Sequence, residues 1–349
     1  MTDDAAARLR SGMVIPAHPL ALDADGGIDL RAQRALTRYY LSAGADGLAI
    51  GVHTTQFELH EDRGMLQEVW SLAATTASES RAGRPEPMLV AGLTGDTADA
   101  VAEAAMARAA GYQAALLCPW GMTEVTEEAL LDRARAVGEV LPTIGFYLQE
   151  SVGGRRLGRT YWQRLFDLES VIGVKAAPFD RYRTNDVAQT LLEHDRWDQV
   201  ALMTGNDDTI VQDLITPYRR TVGGRTREVR ATGGLLGQWA VGTRAAVEAQ
   251  TAAQEAAAAG SVPLELLRQG ADLVDVNAAV FDVDHDFAGA VPGVNEVLRQ
   301  QGLLATATCL GAADLLSPGQ SEAIARARER HPGPMDEEFV ASHRDEWLR

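Results

Sequence analysis

Lysine is almost absent from this chain of 349 residues: of its 32 Lys and Arg residues, 31 are arginine and one, Lys175, is lysine. Solubility is carried by Arg, Asp and Glu, and an amine is kept at one place alone. Cysteine is scarce as well. Cys118 and Cys309 lie far apart without metal-type spacing, so a reducing, cytoplasmic setting is expected. Positive charge is in deficit, with a formal net charge of −17 and a pI near 4.8. That balance argues against nucleic acid or an acidic membrane as a partner. No run of about 18 apolar residues occurs, so no membrane span is expected. The start, Met1-Thr2-Asp3-Asp4, has neither a basic nor an apolar segment and does not read as a signal peptide. Gly-x-Gly-x-x-Gly after an early strand, Gly-x-Ser-x-Gly and a P-loop are all missing, which removes the common dinucleotide, serine-hydrolase and nucleotide signatures.

Hydrophobic residues make up 46% of the chain, enough for a large core. They fall in short apolar runs separated by helical patterns. Residues 1–12 read as a frayed lead-in. Strands are expected at 13–17, 47–52, 88–93, 114–119, 143–148, 171–177, 200–205 and 229–234. Helices are expected between them, at 30–43, near 61–78, at 97–110, 126–140, 160–168, 185–194 and 208–219, then at 239–259. Near-continuous apolar strands alternating with helices mean parallel strands covered on both faces. Eight such units predict an α/β fold, a (β/α)8 TIM barrel over 1–260, with a C-terminal helical extension over 261–349.

In such a barrel the chemistry lies at the C-terminal ends of the strands. Lys175 ends the sixth, in the β-branched run Val171-Ile172-Gly173-Val174-Lys175. A desolvated lysine amine loses its proton and attacks a carbonyl to give a Schiff base, which a guanidinium cannot do. Tyr147 ends the neighbouring fifth strand and offers a phenol to shuttle protons. Gly51-Val52-His53-Thr54-Thr55 follows the second strand; its hydroxyls, imidazole and backbone N–H groups suit a carboxylate. Gly205 and Asn206 follow the seventh strand and Gly233 the eighth. Arg155, in Gly153-Gly154-Arg155-Arg156, is a candidate for an anionic substrate group. Asp282-Val283-Asp284-His285-Asp286 lacks the partners of a metal site and reads as a solvated loop, so no metal is expected.

This order of motifs resembles the dihydrodipicolinate synthase / N-acetylneuraminate lyase family. The resemblance runs through the Thr-rich turn, a strand-five Tyr147, Gly173-Val174-Lys175, Gly205-Asn206-Asp207-Asp208 and Gly233-Gly234. It implies a class I aldolase, lyase or dehydratase that needs no cofactor. Lys175 would form a Schiff base with pyruvate or another 2-oxo acid, Tyr147 would move protons, and the 51–55 turn would hold the carboxylate. It also implies small-molecule partners, a 2-oxo acid and an aldehyde, and a homo-oligomer, dimer or tetramer. Departures are visible. Gly51-Val52-His53-Thr54-Thr55 stands for the family's Gly-Thr-Thr-Gly-Glu, Pro119-Trp120-Gly121 for a tyrosine, and Tyr147-Leu148-Gln149-Glu150 for Tyr-Asn-x-Pro. Schiff-base chemistry is therefore expected and the lysine-pathway reaction is not. If Trp120 lines the mouth, it would favour an apolar or aromatic aldehyde. The alternative is a non-catalytic protein that binds a 2-oxo acid; a metal-dependent barrel lyase is a third reading, without a ligand cluster to support it.

Overall fold

The computed structural model describes residues 2–80, 83 and 85–349. Its strands are β1 (Val14–Pro16), β2 (Gly47–Ile50), β3 (Met88–Leu93), β4 (Ala114–Leu117), β5 (Thr143–Leu148), β6 (Val171–Ala177) and β7 (Ala201–Thr204), then β8 (Tyr218–Val222), β9 (Arg225–Val229) and β10 (Gly233–Leu236). All but β8 and β9 form one parallel sheet in the order β1-β10-β7-β6-β5-β4-β3-β2. A bridge between Ala17 and Ala49, and the His18 N–H donating to the Ala49 carbonyl at 2.8 Å, join its two ends into a barrel. The helices are α1 (Thr2–Ser11), α2 (Leu30–Ala43), α3 (Arg63–Glu79), α4 (Thr97–Ala109), α5 (Glu127–Gly138), α6 (Arg159–Phe166), α7 (Arg181–Glu193), α8 (Ile210–Ile215) and α9 (Thr243–Ala259), followed by α10 (Leu264–Val280), α11 (Ala290–Gln300), α12 (Gln320–Arg330) and α13 (Glu337–Trp347). This is the expected (β/α)8 barrel with C-terminal helices.

Each core strand is buried on both faces, so alternate residues serve two different cores. Ile15, Val90, Leu116, Ile144, Phe146, Ile172, Met203 and Leu235 fill the barrel interior. Other residues of the same strands, such as Leu48, Ala91, Tyr147, Val174 and Ala176, pack outward against the helices. This division decides which side chains can meet at the mouth.

Several elements differ from the sequence-based expectation. Residues 2–11 form α1, whose Leu9 enters the barrel-interior cluster. The Thr232 hydroxyl donates to the Leu9 carbonyl at 3.1 Å and Arg10 to the Gln199 carbonyl at 2.8 Å. The expected strand at 229–234 is replaced by β10 at 233–236, because the chain first makes the β8–β9 hairpin. Its turn is Gly223-Gly224 with φ of +55° and +78°, the pair of positive angles that a two-residue hairpin requires. Pro217 helps end α8 early, since the residue before a proline avoids helical geometry and Thr216 is extended.

Candidate functional site

Lys175 lies at the inner wall of the barrel, paired in register with Phe146 of β5 and Met203 of β7. Its Nζ sits 4.4 Å from the centre of the Phe146 ring. Room for the side chain comes from Gly205: a Cβ there would lie 2.4 Å from Lys175 Cε. The lysine is 9% exposed. Burial lowers its pKa from 10.5 to about 8, against the opposing pull of Asp207 and Cys118. An amine with that pKa is unprotonated in about a tenth of molecules at pH 7, far more than an ordinary lysine, and the neutral form is the one a nucleophile requires.

Tyr147 does not join it. A one-residue step along β5 turns the side chain to the other face, so Phe146 points into the barrel and Tyr147 points out. The Tyr147 ring packs against Trp162 of α6, 5.3 Å between centroids. Its hydroxyl accepts long hydrogen bonds, 3.4 Å each, from the Leu157 N–H and from Arg183 Nη1. The aromatic residue beside Lys175 is therefore a phenylalanine, which cannot carry a proton. This corrects the placement expected for Tyr147.

The turn after β2 keeps its position at the mouth, but its threonine hydroxyls are engaged in holding it. Thr54 donates to the Ala17 carbonyl at 2.7 Å. Thr55 donates to the His18 carbonyl at 2.6 Å and accepts from the Gly51 and Val52 N–H groups at 3.0 and 3.3 Å. Val52, His53 and Thr54 line the Lys175 cavity; Gly51 and Thr55 stand behind them. Burial, then the nearby Lys175, lower the His53 pKa to about 4, so its imidazole is neutral at physiological pH.

After β7 the residue facing Lys175 is Asp207 rather than Asn206. Asn206 is turned into the wall: its Oδ1 accepts from the Phe179 N–H at 2.9 Å, and its Nδ2 donates to Thr184 and Asp213 at 3.1 and 2.9 Å. Asp207 lines the cavity and accepts from the Gln238 N–H at 3.0 Å. Burial raises its carboxyl to about pH 7, with that N–H and Lys175 pulling the other way. Gly233 is a packing residue, since a Cβ there would lie 2.2 Å from the Met13 carbonyl oxygen; Gly237 lines the cavity instead. Arg155 does not line the cavity. The arginine at the mouth is Arg183, on the first turn of α7. Trp120 stacks on Phe57 at 5.8 Å and likewise stays out of the lining.

Asp207 and Arg183 are the site residues that sequence reasoning does not single out. Asp207 follows a strand and stands in a run of three Asx residues, which look alike in sequence. Arg183 is hidden because α7 begins at Arg181, where the Asp180 side chain caps the Tyr182 and Arg183 N–H groups.

Two connected spaces open above Lys175. The inner one, about 70 Å³, is lined by Lys175, His53, Asp207 and Phe146 among others. The outer one, about 590 Å³, lies under α10 and the loop before α11. Gln149, Phe179, Asp207, Phe281 and Phe287 line both. Phe179 and Phe287 meet edge to face at 5.7 Å. Both have left-handed backbones, φ +52° and +68°, a conformation that costs a bulky residue on the order of 1–3 kcal/mol. The Asp282 stretch is a loop tie: its carboxylate accepts from His285 at 2.7 Å, the Gly289 N–H at 3.0 Å and the Ser317 hydroxyl at 2.5 Å.

Comparison with known proteins agrees with this architecture. The family model described as "Dihydrodipicolinate synthetase family" matches residues 10–218. A 4-hydroxy-tetrahydrodipicolinate synthase of Thiobacillus denitrificans is 31% identical over 170 residues, 47% of this chain and 54% of the relative. Another from Anaeromyxobacter is 27% identical over 210 residues, 58% of this chain and 65% of the relative. The chain thus aligns with roughly half to two thirds of the length of these relatives. Among solved structures, dihydrodipicolinate synthase from Oceanobacillus iheyensis superposes with a TM-score of 0.72 at 16% identity, covering 95% of this chain and 99% of that one. N-acetylneuraminate lyase from Fusobacterium nucleatum gives 0.70 at 17%, covering 92% and 98%. Matched by that model over residues 10–218, the chain belongs to the dihydrodipicolinate synthetase family.

Proposed function

We propose that this protein is a Schiff-base lyase, an aldolase or dehydratase, acting on pyruvate or another 2-oxo acid. The observation that carries the reading is the sole lysine of the chain, buried at the end of a barrel strand in a small cavity with its pKa lowered to about 8. Its Nζ attacks the C2 carbonyl carbon, and loss of water from the carbinolamine leaves the imine. Withdrawal of electrons by the protonated imine allows C3 to lose a proton and become an enamine carbon. That carbon then adds to an aldehyde; in the reverse direction the C3–C4 bond breaks and the aldehyde leaves. Water finally hydrolyses the imine and frees the amine.

The inner space is of the size this requires. About 70 Å³ has room for on the order of five water molecules, comparable with the six heavy atoms of pyruvate. The neutral His53 ring and the backbone of the 52–54 turn are the groups available to the carboxylate. With Phe146 at the place beside Lys175, the proton carrier in this reading is Asp207, whose carboxyl titrates at about 7 and faces the same cavity. A general acid or base works best with a pKa near the working pH.

The test is reduction with borohydride in the presence of pyruvate, read by intact mass and peptide mapping, with Lys175→Ala alongside. A reduced adduct on the Lys175 peptide, absent from the variant, is expected. No adduct with pyruvate or longer 2-oxo acids would sink the reading. A second reading, a binder of oxo acids without turnover, draws support from the missing phenol beside Lys175. It predicts an adduct but no exchange of the pyruvate C3 hydrogens with solvent deuterium, whereas a working enamine predicts exchange.

A further inference from the structure

We propose that the outer space is the subsite for the aldehyde half of the substrate, and that it accepts an uncharged aromatic or apolar arm and rejects an anionic one. The inference rests on the Schiff-base reading above and adds the class of the second reactant. Three observations carry it.

The first is connection and size. The outer space shares five wall residues with the Lys175 cavity, so a molecule bonded to the imine at one end would extend into it. Its volume, about 590 Å³, lies within the usual range for organic ligands.

The second is the wall. Phe179, Phe281 and Phe287 converge where the two spaces join, and Val274, Ala278 and Val283 continue the apolar surface outward. The strained backbones of Phe179 and Phe287 are held by hydrogen bonds. Asn206 Oδ1 accepts the Phe179 N–H at 2.9 Å, and the Asp282 carbonyl accepts the Phe287 N–H at 3.1 Å. Such conformations persist only where the surroundings impose them. Here they set two rings edge to face at the junction.

The third is charge. Four carboxyl groups line the outer space, Glu150, Asp180, Asp207 and Asp208, against one cation, Arg183, and three still outnumber it when Asp207 carries its proton. The Arg183 guanidinium is already shared between Glu150 at 3.3 Å and Asp180 at 3.4 Å, and it donates to the Tyr147 hydroxyl at 3.4 Å. Recognition of a carboxylate or phosphate needs a free guanidinium fork. An anionic arm entering here would instead meet a surplus of negative charge in a partly desolvated space, which disfavours it strongly.

In the addition, the enamine C3 bonds to the aldehyde carbon, the aldehyde oxygen takes a proton, and water hydrolyses the imine to release a 4-hydroxy-2-oxo acid. Benzaldehyde and 4-formylbenzoate differ by one carboxylate and make the test. With pyruvate as donor, kcat/KM for benzaldehyde should exceed that for 4-formylbenzoate at least tenfold. Phe287→Ala should lower the benzaldehyde value about tenfold. The double variant Glu150→Gln/Asp208→Asn should narrow the preference at least threefold by raising the 4-formylbenzoate value. Equal values for the two aldehydes, or preference for the carboxylate, while the borohydride adduct still forms on Lys175, would overturn the subsite and leave the Schiff-base reading standing. No adduct with any 2-oxo acid would overturn both.

Discussion

At the scale of single residues, Lys175 and Asp207 form one titrating pair, and this makes the pH dependence of the proposed reaction specific. The lowering of the lysine from 10.5 to about 8 reflects a charging cost on the order of 3 kcal/mol, set mainly by burial. Productive attack on a carbonyl needs the amine without its proton and, in the proposed role, Asp207 with one. Because the carboxyl titrates near 7 and the amine near 8, that arrangement is a minority form, about a twentieth of the molecules between those pH values. A bell-shaped kcat/KM profile with its maximum between about 7 and 8 is expected. Asp207→Asn removes one titration and also the negative charge that raises the lysine pKa. The variant should therefore show a single rising limb with its midpoint below 8, and about a hundredfold lower kcat. An unchanged bell in the variant would exclude Asp207 as the proton carrier. The lysine was legible in the sequence because the chain holds no other. The aromatic partner was not. Phe146 and Tyr147 are adjacent in a strand buried on both faces, so no alternation of polar and apolar residues marks which one turns inward.

At the scale of elements, strands were easier to read than the connections between them. β3, β5 and β6 fall where the apolar runs placed them, since a strand covered on both sides shows a continuous run with sharp edges. The β8–β9 hairpin was missed although Gly223-Gly224 is a hairpin signal, because its charged, half-exposed strands do not resemble the barrel strands on either side. The attachment of the last helix was not readable either, because it depends on one distant carboxylate. Asp336, at the start of α13, accepts the Arg244 and Ala245 N–H groups of α9 at 2.7 and 2.9 Å and the Tyr39 hydroxyl of α2 at 2.6 Å. It thus caps α9 from outside the helix. Asp336→Ala leaves those buried donors without an acceptor and should cost about 2–4 kcal/mol in urea unfolding. Burial nevertheless raises the Asp336 pKa from 3.8 to about 6, beyond what its hydrogen bonds lower it. The folded state therefore holds this proton more tightly than the unfolded chain. The contribution of Asp336 to stability falls as pH rises from about 4 to about 6, and Asp336→Asn should flatten that slope. A slope unaffected by the substitution would assign it to other groups.

At the scale of the whole molecule, the helices beyond residue 260 finish the barrel rather than accompany it. They supply part of the pocket: Phe281, Phe287 and Ala290 wall the Lys175 cavity, and Asn277 Nδ2 donates to the Asp207 carbonyl at 2.7 Å. They also bury much of their own apolar surface in the core layer that surrounds the barrel. Val276, Val280, Val294, Val297 and Leu298 are each at most 1% exposed there. Burial of each such side chain contributes about 1.5–3 kcal/mol. Five of them amount to roughly 10 kcal/mol, comparable with the whole net stability of an ordinary domain. A boundary at 260, although it ends the strand–helix repeat, is therefore not expected to separate two independent folding units. A chain ending at 260 should aggregate or unfold without cooperativity and give no borohydride adduct with pyruvate. The intact chain should lose its secondary structure and its tryptophan fluorescence signal in one coincident urea transition, since Trp70 and Trp162 lie in the barrel layer and Trp347 in α13. A truncated chain that unfolds cooperatively and still traps pyruvate, or an intact chain with two separated transitions, would show that the extension is an accessory and that the barrel holds its own site.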